Sequence, residues 1–469
     1  MSIVRRLHQA QFGACDKSFH GILLKRPTSA KNQALVTYDC AKGAVLWVSK
    51  FELLIILQHT QVMQRQGKGK MNDTVAIRAI SNGANQKGLR NHNERLILSV
   101  LQRHGQMPGS DIARDTHLSA QTVSVILRKL ESDGLVLKGE SVKGRVGKPS
   151  VPMAINPAGA LSFGFKLGRR SSEFLLTNLM GEILFERRVN YDVAIPERIF
   201  DFMREAYGAA VAEIGPQKAE RLCGIGIAAP FEIWKWGASG TNSDAEFMTW
   251  KDLSFEQRVA EFSDLPVFMV NDATSACWAE YVYGRGKEFR DFAYFFVSTF
   301  IGGGIVLNHS VYEGALGNAG ALGSLRVGDR EGRTRQLVDV ASIHLLETLL
   351  DNAGYDTRAL WVQPQDWTKF EPLVARWIAD IAPEIARAAL SACAVIDFEA
   401  IVIDGAFPAA VRHRLVEAVQ ASLPDEDSRG LILPQIEAGE IGGDARAIGA
   451  ACAPIFNQYF LMKNATPLD

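Results

Sequence analysis

Asn271 and Asp272 stand side by side where the apolar run "LPVFMV" ends and the stretch "ATSACWAEY" begins. Polar groups at the carboxyl end of a buried strand are placed to meet a ligand in α/β folds. An aspartate there can accept a hydrogen bond from a sugar hydroxyl or act on it as general base; equally, the pair can cap the helix that follows. "STFIGGGIV" (298–306) is a glycine-rich hairpin whose backbone N–H groups could cradle phosphate, but a Gly triplet also marks tight strand bends, and Phe300 would compete with phosphates for space. "GNAGALGS" (317–324) has the small residues of a pocket-forming turn and no acid, imidazole or thiol. A pocket built this way suits binding without bond-making.

A different chemistry is written in "SAQTVSVILRKLESDG" (119–134). Ser119 caps a helix, Val123, Ile126, Leu127 and Leu130 form its apolar face, and Gly134 ends it. Gln121, Thr122, Ser124 and Arg128 are left on the outer side, close to the amino end, and together with Ser119 they are the expected DNA contacts of this helix. Gln can pair with adenine, Ser and Thr with bases or phosphates, and Arg with guanine or phosphate. Further on, "KGRVGKP" sets Lys143, Arg145 and Lys148 among glycines that let a backbone approach a phosphate or a narrow minor groove.

The surrounding elements must position these groups. "NHNERLILSVLQRHG" (91–105) spaces Leu96, Ile97, Val100 and Leu101 as a helix, and "GSDIARDTHLS" offers Ser110 as the cap of a short second helix that breaks before Leu118. With the helix at 119–134 they make a helix-turn-helix, and the alternating segment 135–157 adds a β-hairpin wing with the basic tip. From 158 onward strands alternate with helices, including a helix around 196–214 and a long helical stretch from about 335 to 396. Two halves, about 158–290 and 291–469, each open on strands with a hairpin and close on a strand running into a helix. A duplicated α/β domain with a cleft between its lobes is the expected class.

Length and charge agree with this division. The 469 residues exceed one ordinary core, and 47% hydrophobic with 22% charged residues is a globular composition. Residues 1–70 carry +8 and 85–150 carry +5, which leaves −14 for 151–469 out of a total of −1. A basic front on an acidic body points to a polyanion partner, with nucleic acid the first candidate. Residues 1–82 read either as a basic arm without regular structure or as an extension upstream of a biological start at Met71; 83–157 form the DNA-binding unit and 158–469 the second domain. The six cysteines lie too far apart for a zinc site and read as reduced thiols of a cytoplasmic protein. The apolar stretch 43–57 is interrupted by Lys50 and Glu52 and is too short to span a bilayer, so no membrane role is expected.

The chain resembles the ROK family of repressors, open reading frames and sugar kinases. The resemblance runs over roughly 83–456 and rests on "NGANQKGLRNHNERLILSVL", "LSAQTVSVILRKLESDGLV", "GRVGKP", "GIGIAAP", "VNDATSACWAE", "IGGGIVLNHSVYEGALGNAGALGS" and "IVIDGAF" in that order. It implies a winged helix-turn-helix followed by an actin-like domain of the sugar kinase and Hsp70 type. It also implies a dimer, or a dimer of dimers, that binds double-stranded operator DNA under control of a small carbohydrate effector. The alternative is a carbohydrate kinase with an appended DNA-binding domain. Departures from the family pattern favour the regulator. The Asp-x-Gly-Gly-Thr phosphate loop is replaced by "KLGRR", with Lys166 for the aspartate and Arg169 and Arg170 for Gly and Thr; a second loop becomes Ser298, Thr299 and Phe300. Ala321 stands for the sugar-binding glutamate, Ser324 for the zinc-ligating histidine and Val338 for another glutamate, and the cysteines of the zinc segment are missing. No catalytic residue, metal or nucleotide cofactor is therefore expected. By the resemblance, Asn271, Asp272, Asn318 and Ser324 are the expected effector contacts.

Overall fold

The computed structural model describes residues 22–24, 33–38, 45–49, 92–140, 151–230, 233, 248–328 and 333–461. Residues 1–74 and 75–469 form two separate compact units. In the first, β1 (Ile22–Leu24), β2 (Gln33–Tyr38) and β3 (Val45–Ser49) pair as an antiparallel sheet. These three strands lie in a segment whose sequence shows no sustained period.

The second unit opens with helices α1 (His92–His104), α2 (Gly109–Thr116) and α3 (Ala120–Ser132). β4 (Met107–Pro108) and β5 (Val136–Lys138) flank β6 (Pro152–Ile155) in a small antiparallel sheet, the base of a wing. The wing tip, with Lys143, Arg145 and Lys148, lies outside the described residues. Two local expectations need correction. Pro108, not Ser110, is the residue preceding α2, and no side chain caps that helix. On α1 the buried face is Ile97, Leu98 and Leu101 rather than one that includes Leu96 and Val100, because another side of α1 is turned to the domain that follows.

That domain has two lobes. In the first, β7 (Leu161–Leu167), β8 (Ser171–Asn178) and β9 (Ile183–Asn190) form an antiparallel meander, extended by β10 (Leu222–Ala229) and β11 (Val267–Asn271) parallel to β7, in the order β11-β10-β7-β8-β9. α4 (Pro196–Ala219) packs on this sheet through Phe200, Met203, Ala206 and Ala210 and is broken near its end by Gly215 and Pro216; the short α5 (Phe255–Val259) joins the same core. The second lobe repeats the plan in reduced form. β12 (Phe292–Val297) and β13 (Gly302–Val306) are antiparallel, a third meander strand shrinks to one bridge between Val306 and Val311, and β16 (Ala400–Gly405) and β17 (Gln435–Ala438) extend the sheet in parallel. A small hairpin of β14 (Arg326–Gly328) and β15 (Thr334–Gln336) precedes the helices. The long helical stretch expected here is three helices, α7 (Leu337–Val340), α8 (Ile343–Asn352) and α9 (Glu371–Cys393), with irregular backbone before α9; α10 (Ala409–Ser422) follows β16.

Two helices tie the second unit together: α6 (Asp272–Tyr283), which continues β11, and α11 (Ala445–Tyr459). α11 lies on β7 and β10 and against α6 because glycines let it approach. A Cβ on Gly226 would overlap the carbonyl of Ala450, and one on Gly449 the carbonyl of Ser275. The contact is backbone against backbone, so the two helices cannot drift apart or rotate without breaking it.

Candidate nucleic-acid interface and ligand cleft

On α3 the expected apolar residues point inward: Val123, Leu127 and Leu130 are buried and Ile126 is half-buried. Gln121, Ser124 and Arg128 are exposed. Val125 joins them at 53% exposure, completing an i, i+3, i+4, i+7 stripe on the outer face. Sequence reasoning passed over Val125 because it is apolar, yet an exposed aliphatic group beside Gln and Arg is what meets a thymine methyl in a groove. Ser119 and Thr122 have another task. The Ser119 hydroxyl accepts the Thr122 N–H at 3.1 Å and lies 2.8 Å from the Thr122 hydroxyl, so both serve the helix cap. Among the described residues Arg128 bonds back to its own helix, Nε donating to the Ser124 carbonyl at 3.2 Å.

The cleft of the second domain lies where the β7–β8 turn, the start of α6, the β12–β13 turn and the start of α11 meet. Lys166, Arg169 and Arg170 line one side; Asp272, Phe300 and Arg446 are among the residues facing them. Lys166 and Glu173 are cross-strand partners in the β7–β8 hairpin and form an ion pair of 3.1 Å, both almost fully buried. The Lys166 ammonium also donates to the Ser171 hydroxyl at 2.9 Å. Burial pushes this lysine down to about 8, with Glu173 opposing the shift. Burial also works against the charge on Glu173, yet Lys166, Arg188 and Arg446 hold its carboxyl below the usual range. Arg188 reaches Glu173 at 3.7 Å and Asp444 at 2.7 Å.

Asp272 is present in the cleft, with one oxygen accepting the Ala273 N–H at 2.9 Å and the other 3.5 Å from an Arg446 guanidinium nitrogen. Arg446 is 8% exposed, sits over the Phe296 ring at 5.2 Å, and has a buried Nε without a hydrogen-bond partner among the described residues. Arg169 lies over the Phe300 ring at 5.2 Å. Asn271 spends its side-chain oxygen as the α6 cap, accepting from Ala273 and Thr274 at 3.1 and 3.2 Å, and it does not line the cleft cavity. Asn318 and Ser324 are exposed and also stand outside that lining. Of the four expected contacts, only Asp272 joins the basic cluster.

Arg446, Arg188, Glu173 and Trp361, the last lining both the cleft cavity and the smaller one beside it, are not residues that the sequence singles out. For Glu173 a signal existed: hairpin pairing about the Gly168–Arg170 turn puts it opposite Lys166. Arg446 carried no such signal, being 174 positions from Asp272 in the chain.

Residues 162–454 match the ROK family, and residues 90–136 match a winged helix-turn-helix DNA-binding domain. The chain belongs to the ROK family. It is 25% identical over 374 residues to the protein y4fQ of Sinorhizobium fredii, covering 78% of this chain and 92% of that one. It is 25% identical over 247 residues to the xylose repressor of Bacillus spizizenii, spanning 52% of this chain and 62% of the repressor's length. Among solved structures, a ROK family transcriptional regulator homologous to the Escherichia coli MLC protein aligns with a TM-score of 0.58 at 19% identity, over 79% of this chain and 98% of that one. The last likeness is one of fold: a winged helix-turn-helix joined to the actin-like ROK domain. Among the described residues no helix is long and apolar enough to cross a membrane.

Proposed function

We propose that this ROK protein is a sugar-responsive, sequence-specific DNA-binding repressor that works in the cytoplasm as a dimer. The recognition helix α3 reads a half-site, and a carbohydrate effector in the cleft sets the placement of the two DNA-binding units. One observation carries the coupling: α6 and α11 both begin at the cleft and both end beneath α1. α6 starts at Asp272, and at its other end Gln102 donates to the Val282 carbonyl at 3.0 Å and Arg103 to the Tyr281 hydroxyl at 3.3 Å. α11 carries Arg446 in its first turn, and at its far end Arg95 Nε donates to the Phe460 carbonyl at 2.8 Å while the Leu461 N–H donates to the Ser99 hydroxyl at 2.9 Å. At about 1.5 Å rise per residue, twelve and fifteen residues carry a displacement roughly 18 and 22 Å from cleft to DNA-binding domain. A ligand that opens or tightens the Asp272–Arg446 pair shifts the packed α6–α11 pair as a unit, and α1 rides on their ends. The ligand acts through its differential affinity for the two arrangements.

We read the second domain as a sensor and not a kinase. The aspartate that would deprotonate a sugar hydroxyl is engaged by Arg446, and the turn that would hold nucleotide phosphates and magnesium offers Lys166, Arg169 and Arg170 without a free carboxylate. Zinc does not fit either: Ser324 stands in an exposed turn, and among the described residues no group of three or more His, Cys, Asp or Glu is gathered.

The test is selection of the preferred duplex from random-sequence DNA by the full chain, followed by quantitative binding. Gln121→Ala and Arg128→Ala should each cost about 1–3 kcal/mol and relax preference at one base pair, while Arg145→Ala with Lys148→Ala should weaken all sequences evenly and flatten the salt dependence. A Gln121→Ala/Arg128→Ala protein with the parent's footprint and preference would remove α3 from the role assigned to it. Arg95→Ala should leave operator affinity within about threefold yet uncouple it from the effector. Effector response of parental size in that variant would show that α1 is not the receiving element.

A further inference from the structure

α3 offers Gln121, Ser124 and Arg128 to solvent from its amino-terminal part, and its other end is gripped by the first lobe of the actin-like domain. Arg221 stands in the turn between α4 and β10. Its N–H donates to the Lys218 carbonyl and its own carbonyl accepts the N–H of Leu161, the first residue of β7, both at 2.9 Å. From that fixed backbone its Nη1 donates at 2.8 Å to the carbonyl of Asp133, the residue that closes α3. The guanidinium lies over Gly134, where an added Cβ would come within 3.1 Å of Nη2, and the φ of +73° at Gly134 is one that side chains disfavour. Asn156 takes the next carbonyl, its Nδ2 donating to Gly134 at 2.6 Å. The turn at Pro157–Gly159 then packs on the same spot, so closely that a Cβ on Gly159 would meet the Gly134 oxygen at 2.8 Å. Pro157 in its turn accepts the Leu179 N–H at 3.0 Å, just past the end of β8. The last carbonyls of α3 are thus satisfied by groups whose own backbones belong to the first lobe or are bonded to it, and a cation suits the carboxyl end of a helix.

A helix held at one end is aimed by that end. Gln121 lies twelve residues from Asp133, so a tilt of about 5° about the held end would move it by roughly 1.5 Å. A base contact has a donor–acceptor distance confined to about 2.7–3.2 Å and does not survive such a shift. A DNA-binding unit attached only through α1 could roll about that helix; an attachment at the end of α3 removes the freedom. We propose that Arg221 is a positioning residue for operator recognition, a side chain of the actin-like domain that fixes the tilt of α3 without touching DNA. This rests on the assignment of α3 as the recognition helix. It adds to the contacts that α6 and α11 make with α1 a second attachment, made to the recognition helix itself.

The test compares the full chain with its Arg221→Ala and Arg221→Lys variants on the duplex that the parent selects from random-sequence DNA, by equilibrium binding across a salt series and by thermal melts. Arg221 is exposed, so both variants should melt with the parent. Arg221→Ala should bind that duplex about fivefold or more weakly, a loss on the scale of one charge-assisted hydrogen bond near solvent. Its preferred bases and its slope of log affinity against log salt should be the parent's. Arg221→Lys, which keeps a charge and a donor, should recover most of the affinity. Parental affinity in Arg221→Ala overturns the proposal and leaves α3 in its role. A salt slope shallower by about 0.9 makes Arg221 a phosphate contact, and a changed base preference makes it a reader of bases; either overturns the proposal too. A lowered melting temperature with no recovery by lysine reduces Arg221 to a structural part and also overturns it. Parental base preference in Gln121→Ala/Arg128→Ala removes α3 from recognition and takes this proposal with it.

Discussion

The cleft and the recognition face of α3 are both polar, and they hold their polar groups in opposite ways. In the cleft Lys166, Glu173 and Arg446 are each less than a tenth exposed and lean on one another. On α3 Gln121, Ser124 and Arg128 stand in solvent. Desolvation makes the cleft charges interdependent, so that changing one disturbs the ionisation and placement of the rest. Water leaves the groups on α3 independent, free to be exchanged for another operator preference without cost to the fold. In the proposed role, operator preference can change cheaply and effector preference only by concerted substitution.

The sharpest way to break that comparison is Glu173→Ala, which leaves Lys166 buried without its anion. Loss of about 3–5 kcal/mol in urea unfolding is expected at pH 7, with little rescue by salt; a loss below 1 kcal/mol would mean that the cleft charges are as independent as those on α3. Next comes Glu280, fully buried near the end of α6, whose carboxylate accepts N–H groups of Arg285, Glu440 and Ile441. Burial, with Asp404 adding to it, pushes Glu280 up to about 7. Because the folded value is raised, the proton is held in the folded state: its contribution is fully present below about 4.5 and is lost as pH rises through 7. Against Glu280→Gln, the wild-type protein should therefore lose roughly 3 kcal/mol of relative stability between pH 5 and pH 8, read from melts at matched ionic strength. A constant difference across that range would contradict a buried, titrating Glu280. The smallest effect falls on the recognition element. Ser119→Ala removes the α3 cap and should cost about 1 kcal/mol, whereas Arg128→Ala should move stability by less than about 0.5 kcal/mol. An Arg128→Ala protein destabilised beyond 2 kcal/mol would show that the exposed face is not independent of the fold.

Legibility in the sequence followed the range of the interactions. α3 was readable because its cap and its apolar face lie within one helix, where 3.6-residue periodicity speaks directly. The face of α1 was misjudged because Arg95, Ser99, Gln102 and Arg103 are engaged by Phe460, Leu461, Val282 and Tyr281, partners 178 or more positions away. Replacement of the family's phosphate-loop residues by Lys166, Arg169 and Arg170 was plain from the residues alone. Where those charges go was not. Asn271 illustrates the other limit: both of its possible uses are local, and the geometry gives its oxygen to the helix cap.

By itself the amino-acid sequence determined the winged helix-turn-helix, the two-lobed α/β body, the ROK resemblance and the departures in its phosphate-binding turn, since each depends on residue type and short-range spacing. The tertiary structure decided that Asp272 meets Arg446, that Lys166 and Arg188 share Glu173, and that α6 and α11 run from the cleft to α1. Those relations depend on glycines such as Gly226 and Gly449, which let distant backbones touch. Small residues leave no pattern that says which distant strand or helix will fill the space they open, so packing alone settles it.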